Sequence, residues 1–282
     1  KLKPQADNEV IGIVQWISSH DEEEDPYYYQ LRKSVESYFL KEKVYVRRYY
    51  QENMHDLFEE KNLAGLICIG KFALEQAEAF YEHCSNLVFV DSNPNECKYS
   101  SVVHDLEDAT EQAMQYLLNK GHKKIAYIGG REFLGDHQEP YLDKRELSYL
   151  KLIRKEPFIY NEKHVVTGPF TAKTGYDGVM EFLENDHDLP SAILCASDTI
   201  AMGALSALGS KNMLHDISVM GFNNIQGARF YNPPITTVHL DTKLMGHLAA
   251  NLLMIRLENP SYVPSKIKLK TKIVERSSVR KV

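Results

Sequence analysis

The run VIGIVQWI, Val10 to Ile17, is apolar almost without interruption over a strand's length, the pattern of a strand covered on both faces. A helix is predicted next. Asp25 is placed to cap it, Pro26 suits its first turn, and Leu31, Val35, Tyr38 and Phe39 recur on one face. The exchange then repeats: strand-like LAGLICIG (Leu63 to Gly70), a helical stretch around Leu74 to Tyr81, and strand-like NLVFVD (Asn86 to Asp91). Past a loop with Asn93 and Pro94, the residues Ala109, Ala113, Tyr116 and Leu117 mark a further amphipathic helix, closed by Gly121.

A second series of the same kind opens with KIAYIGG (Lys124 to Gly130) and a helix around Leu142 to Leu152. It continues through HVVT (His164 to Thr167), a helix with Tyr176, Val179, Met180 and Leu183, and SAILCA (Ser191 to Ala196). A helix of Ala201, Ala204, Leu205 and Leu208 leads on to ISVMGF (Ile217 to Phe222). Parallel neighbours need crossover helices on the sheet face, so the double series predicts an α/β protein with two doubly wound parallel-sheet lobes. The tail breaks the order, a helix with Leu244, Leu248, Leu252 and Ile255 being followed by the alternating strand KIKLK (Lys266 to Lys270). The chain is therefore expected to cross between lobes more than once.

Composition narrows the class. With 282 residues, 43% hydrophobic and 26% charged, the chain has the makeup of a folded globular protein long enough for two lobes. A net charge of -6 offers no broad basic surface, so these residues alone are expected to bind nucleic acid poorly. No apolar run approaches the roughly 20 residues of a membrane span, and the polar start Lys1 to Glu9 lacks a signal-peptide core; a cytoplasmic location is expected. Cys68, Cys84, Cys97 and Cys195 are scattered, with no C-x-x-C pair, which suggests no zinc or redox site. Nor does the chain hold G-x-S-x-G, a P-loop, H-E-x-x-H, or G-x-G-x-x-G after a strand, so neither an enzyme nor a cofactor is indicated. The acidic run DEEED (Asp21 to Asp25) reads as a solvated loop.

GHKKIAYIGG (Gly121 to Gly130), SDTIAMGAL (Ser197 to Leu205) and ISVMGFNN…PPITTVHLD (Ile217 to Asp241) together resemble the hallmark segments of the lactose/galactose-repressor family. DPYYYQLRKSVE (Asp25 to Glu36) resembles its first ligand-side helix and KIVERSSVRK (Lys272 to Lys281) its last strand, so the similarity covers nearly the whole chain. The resemblance implies a core like type I periplasmic sugar-binding proteins, with three crossover segments. One lobe would take residues 1–119 plus 240–264 and the other 120–239 plus 265–282. It implies a homodimer, with a tetramer as the alternative, that binds a sugar, galactose or a galactoside above all. Operator DNA would be bound only through a helix-turn-helix headpiece, which the start of this sequence does not supply. A periplasmic sugar-binding protein of a transporter shares the fold and is the alternative.

Ligands of open α/β sheets bind beyond the carboxyl ends of strands, so candidate residues should lie just after them. Trp16 follows the first strand and Tyr27 and Tyr28 open the next helix, and flat aromatic faces suit the C–H face of a pyranose. The family match carries over Asp105 as a hydroxyl acceptor or helix cap and Arg145 as a ligand-gripping fork. It also carries over Phe170 as a stacking ring, with Ser197 and Asn223 as polar contacts. Many relatives have an aspartate at the Asn223 position, so the amide here changes the expected hydroxyl pattern and tells against a cationic ligand. His104 and Asp198 read first as capping or packing residues.

Overall fold

A computed structural model describes residues 10–135, 139–185, 188–259 and 261–282, so the opening Lys1 to Glu9 lies outside the described residues. The first series runs β1 (Val10–Gln15), α1 (Ser19–Glu24), α2 (Pro26–Glu42), β2 (Val46–Tyr49), α3 (Met54–Glu59), β3 (Leu63–Gly70), α4 (Leu74–His83), β4 (Leu87–Asp91) and β5 (Ser100–His104). The second runs α5 (Leu106–Asn119), β6 (Ile125–Gly130), the short β7 (Glu132–Leu134) and β8 (Glu139–Tyr141), α6 (Lys144–Ile153), β9 (Val165–Gly168), α7 (Ala172–Asn185), β10 (Ala192–Cys195), α8 (Asp198–Ser210), β11 (Ser218–Asn223) and β12 (Thr236–His239). The tail adds α9 (Thr242–Glu258), β13 (Lys266–Leu269) and β14 (Lys272–Val274).

Among the described residues these strands form two six-stranded sheets, ordered β13-β5-β4-β3-β1-β2 and β14-β12-β11-β10-β6-β9, and a two-stranded one of β7 and β8. Every pairing in the first is parallel, and in the second only β12 with β14 is antiparallel. Each larger sheet winds outward in both directions from its first strand. The order thus reverses between β1 and β3 in one and between β6 and β10 in the other, the places where open α/β sheets leave a crevice at their carboxyl edge. The predicted doubly wound α/β class is what the chain adopts.

The hydrophobic pattern found the strands covered on both faces and missed others, among them β2, β5 and β12. β2 is VRRY, an edge strand whose arginines are exposed, so no apolar run announces it. β5 buries Ser100 and Ser101, which a hydrophobicity reading counts as loop residues, but their hydroxyls are bonded: Asn93 Nδ2 donates to Ser101 Oγ at 2.9 Å. β12 is TTVH, with Thr236 and Thr237 fully buried.

Among the described residues the chain forms two compact units: 10–104, 134–135 and 241–269; and 105–133, 139–240 and 270–282. These bounds differ from the expected 119/120 and 264/265. Helix α5 packs on α6 and so belongs with the second unit, whereas β13 extends the first sheet beside β5 and so belongs with the first. The Asp25 cap behaves as predicted, accepting the N–H of Tyr27 at 2.8 Å ahead of Pro26. Cys68, Cys84 and Cys195 are buried free thiols, while Cys97 is exposed. Among the described residues no helix is long and apolar enough to cross a membrane.

Candidate functional site

In the first unit, β1 and β3 end at the reversal of strand order, and Trp16 and Lys71 are the residues that follow them. Gly70 closes β3 at φ +112°, a conformation L side chains rarely adopt. A β-carbon there would come within 1.8 Å of Trp16 Cδ1, so glycine is what allows the indole to close over this backbone. Trp16, the only tryptophan of the sequence, remains half-buried and tilts against Tyr28 with ring centroids 5.9 Å apart.

Behind the indole lies a buried charge cluster. Lys71 Nζ donates to Tyr28 Oη at 2.6 Å and to Asp91 Oδ2 at 3.1 Å, and stands 5.2 Å from the Trp16 ring centre. Tyr27 and Tyr28 donate their hydroxyls to Asp91 at 2.7 and 2.9 Å. Burial alone would raise the Asp91 carboxyl, but the Lys71 ammonium and the donated hydrogen bonds hold it below the usual carboxylate range. Asp25 is shifted the other way, upward, because burial outweighs the N–H groups it caps. The rings of Tyr27 and Tyr28 are buried, and their polar ends serve Asp91.

The second unit repeats the aromatic-on-glycine device. Gly130 closes β6, and a β-carbon on it would lie 1.9 Å from Phe170 Cε2. The Arg145 guanidinium lies 5.1 Å from the centre of the half-buried Phe170 ring and 5.9 Å from that of Phe222. Its fork grips Asp143 through Nε (2.9 Å) and NH2 (2.5 Å), while NH1 donates to the carbonyl of Ala196, just past β10, at 2.6 Å. Asp143 also caps α6 by accepting the Arg145 N–H. Burial opposes the arginine's charge, and the paired Asp143 carboxylate overcomes that to hold its pKa well above the ordinary value. Ser197 caps α8, accepting the Ile200 N–H at 3.2 Å.

Asn223 ends β11 in the left-handed region at φ 99°, followed by Asn224 at φ 58°. Arg276 donates to Asn224 Oδ1 and to the Ile235 carbonyl, each at 2.6 Å, and Asp198 Oδ2 accepts the Ile225 N–H at 2.8 Å. Asp105 caps α5 and pairs with Lys270 at 3.1 Å, so both parts of its expected double role as cap and acceptor are taken by protein groups. His104 is buried at the end of β5.

The structure thus gathers Trp16, Tyr27 and Tyr28 in one unit, and Arg145 and Phe170 in the other, with Ser197 and Asn223 beside residues those two touch. Lys71, Asp91 and Asp143 were not anticipated from the sequence. The rule that site residues follow strands would have found the first two, since Lys71 succeeds LAGLICIG and Asp91 ends NLVFVD. Half-exposed ring faces next to bonded polar groups can hold a polyol, stacking its C–H face and hydrogen-bonding its rim.

A model of the periplasmic binding protein-like domain matches residues 114–279. The chain is 32% identical over 272 residues to the HTH-type transcriptional regulator GalR of Streptococcus thermophilus, covering 96% of this chain and 81% of that protein. It is 30% identical over 277 residues to the HTH-type transcriptional repressor MelR of Bacillus subtilis (strain 168), covering 95% and 78%. Among solved structures, the lac repressor dimer bound to operator and the anti-inducer ONPF superimposes with a TM-score of 0.82 at 21% identity, over 98% of this chain and 83% of that one. These relatives are transcription regulators rather than enzymes. The chain belongs to the lactose/galactose-repressor family of transcription regulators, as an effector-binding core.

Proposed function

We propose that this chain is the sugar-responsive core of a cytoplasmic transcription repressor that acts as a homodimer, with galactose or a galactoside as its effector. The identity to a regulator named GalR over 96% of the chain carries this reading. The DPYY opening of α2 and the ring-over-glycine arrangements at Gly70 and Gly130 agree with it. Each unit offers its own candidate sugar contacts, Trp16 in the first and Phe170, Arg145 and Asn223 in the second. Tyr27, Tyr28, Asp105 and Ser197, whose polar groups are bonded within the protein, hold the frame around them. A transporter's binding protein shares the fold, but the relatives named here are regulators.

The effector acts by differential affinity. A sugar that binds one arrangement of the protein more tightly shifts the population toward it, and operator affinity changes by the same coupling energy. The solitary Trp16 supplies the readout. Galactose or a galactoside is expected to change its emission and, by binding only the native state, to raise the melting temperature by a few degrees (about 1–2 kcal/mol at ten or more times Kd). Glucose and ribose at equal concentration are expected to do neither. Saturating galactoside should also weaken operator binding by the protein that carries its DNA-reading headpiece. A panel of galactosides that moves neither emission nor melting would overturn the sugar assignment.

A further inference from the structure

We propose that Asp198 is a positioning residue for Asn223, setting the aim of its amide through the hydrogen bond that its carboxylate accepts from the Ile225 N–H. The inference rests on the reading of Asn223 as an effector contact. Two consecutive non-glycine residues in the left-handed region, Asn223 and Asn224, form a turn that the chain does not favour by itself. It persists because its surroundings over-determine it. Arg276 holds Asn224 from one side, His239 Nδ1 meets Asn224 Nδ2 at 3.2 Å, and the Asn224 N–H donates to Thr237 Oγ1 at 3.3 Å. Asp198 fixes the exit at Ile225.

The fold makes room for that carboxyl. A β-carbon at position 221 would lie 2.2 Å from Asp198 Oδ1, so glycine on β11 is what admits it, and Asp198 is fully buried. Burial pushes its pKa up to about 7 against the pull of the Thr237 hydroxyl, the Ile225 N–H and the Arg276 charge. The groups that face it or its turn are Cys195 from β10, Thr237 and His239 from β12, and Arg276 beyond β14. As pH rises through neutrality the carboxyl ionises and becomes the stronger acceptor for the Ile225 N–H, which tightens the turn. Effector affinity should therefore increase with pH in this window.

The test measures galactose affinity by Trp16 emission from about pH 5.5 to about pH 8.5. Wild type is expected to bind about fivefold tighter at the alkaline end, the low end of ordinary coupling. Asp198→Asn is expected to bind at the weak acidic limit throughout, while His239→Asn keeps the slope. An unchanged slope in Asp198→Asn, or a flat wild-type profile, overturns the proposal. A second measurement needs neither variant nor ligand. In the free wild-type protein the Asn223 side-chain amide resonances should move along the same titration curve as the Asp198 carboxyl carbon; an Asn223 amide that stays fixed while Asp198 titrates also overturns the proposal. If no sugar binds at any pH, the effector assignment fails, and the resonance comparison still decides whether Asp198 positions Asn223.

Discussion

Arg145→Met is expected to destabilise the second unit by about 3–5 kcal/mol, the usual cost of removing one partner from a buried ion pair. The methionine fills much of the space but leaves the Asp143 carboxylate buried without its fork and the Ala196 carbonyl without its donor. Protected amides of β6 and β10, the strands on either side of the reversal, should exchange correspondingly faster by hydrogen–deuterium exchange, with β1 and β3 unaffected. The double variant Asp143→Asn with Arg145→Met should regain most of the loss. The amide still caps α6, and no charge remains buried. If the single variant costs no more than the double, the pair carries no strong coupling and Arg145 would be held by packing on Phe170 and Phe222 instead.

In the first unit the corresponding effect belongs to Asp91→Ala, expected to cost about 3–5 kcal/mol at neutral pH because it removes the buried carboxylate that the Lys71 ammonium and two tyrosine hydroxyls share. Asp91→Asn should cost less, since its carbonyl still accepts a hydrogen bond. Trp16 emission during urea unfolding is the natural probe, as the indole lies against Lys71. The sign of the pH dependence follows from the direction of the shift. A carboxyl held below its ordinary value adds stability above the unfolded-state pKa, near 4, and loses it as pH falls through the lower folded-state value. The stability gap between wild type and Asp91→Asn should thus be full at neutral pH and close in acid. A gap that widens on acidification would contradict the assigned pairing.

How far the sequence could be read depends on what kind of signal each part leaves. Strands such as Leu63–Gly70 and Ile125–Gly130 are covered on both faces, so burial wrote continuous apolar runs into the sequence. Strands 46–49, 100–104 and 236–239 left no such trace, because arginines at an edge and bonded serines and threonines in the interior look polar in one dimension. The same limit hid part of the site. Trp16 and Arg145 stood out as residue types, but an ion pair is a property of two positions. Nothing in the chain's order joins Lys71 to Asp91, although Asp143, two residues before Arg145 at a helix start, was within reach of a capping argument. Nor could the unit boundary near residue 105 be seen, since the packing of the helix 106–119 on 144–153 is a long-range fact.

The partnering of Lys71 with Asp91 and of Arg145 with Asp143 bears on what these carboxyl edges can tell apart. Beyond such a pair the field falls away as that of a dipole rather than of a charge. A phosphorylated or acidic metabolite arriving there would surrender its hydration and gain little attraction from either cation, whereas an uncharged polyol has much less to surrender. Under the proposed function, discrimination against ionised metabolites would be set when the chain folds, before any guest arrives.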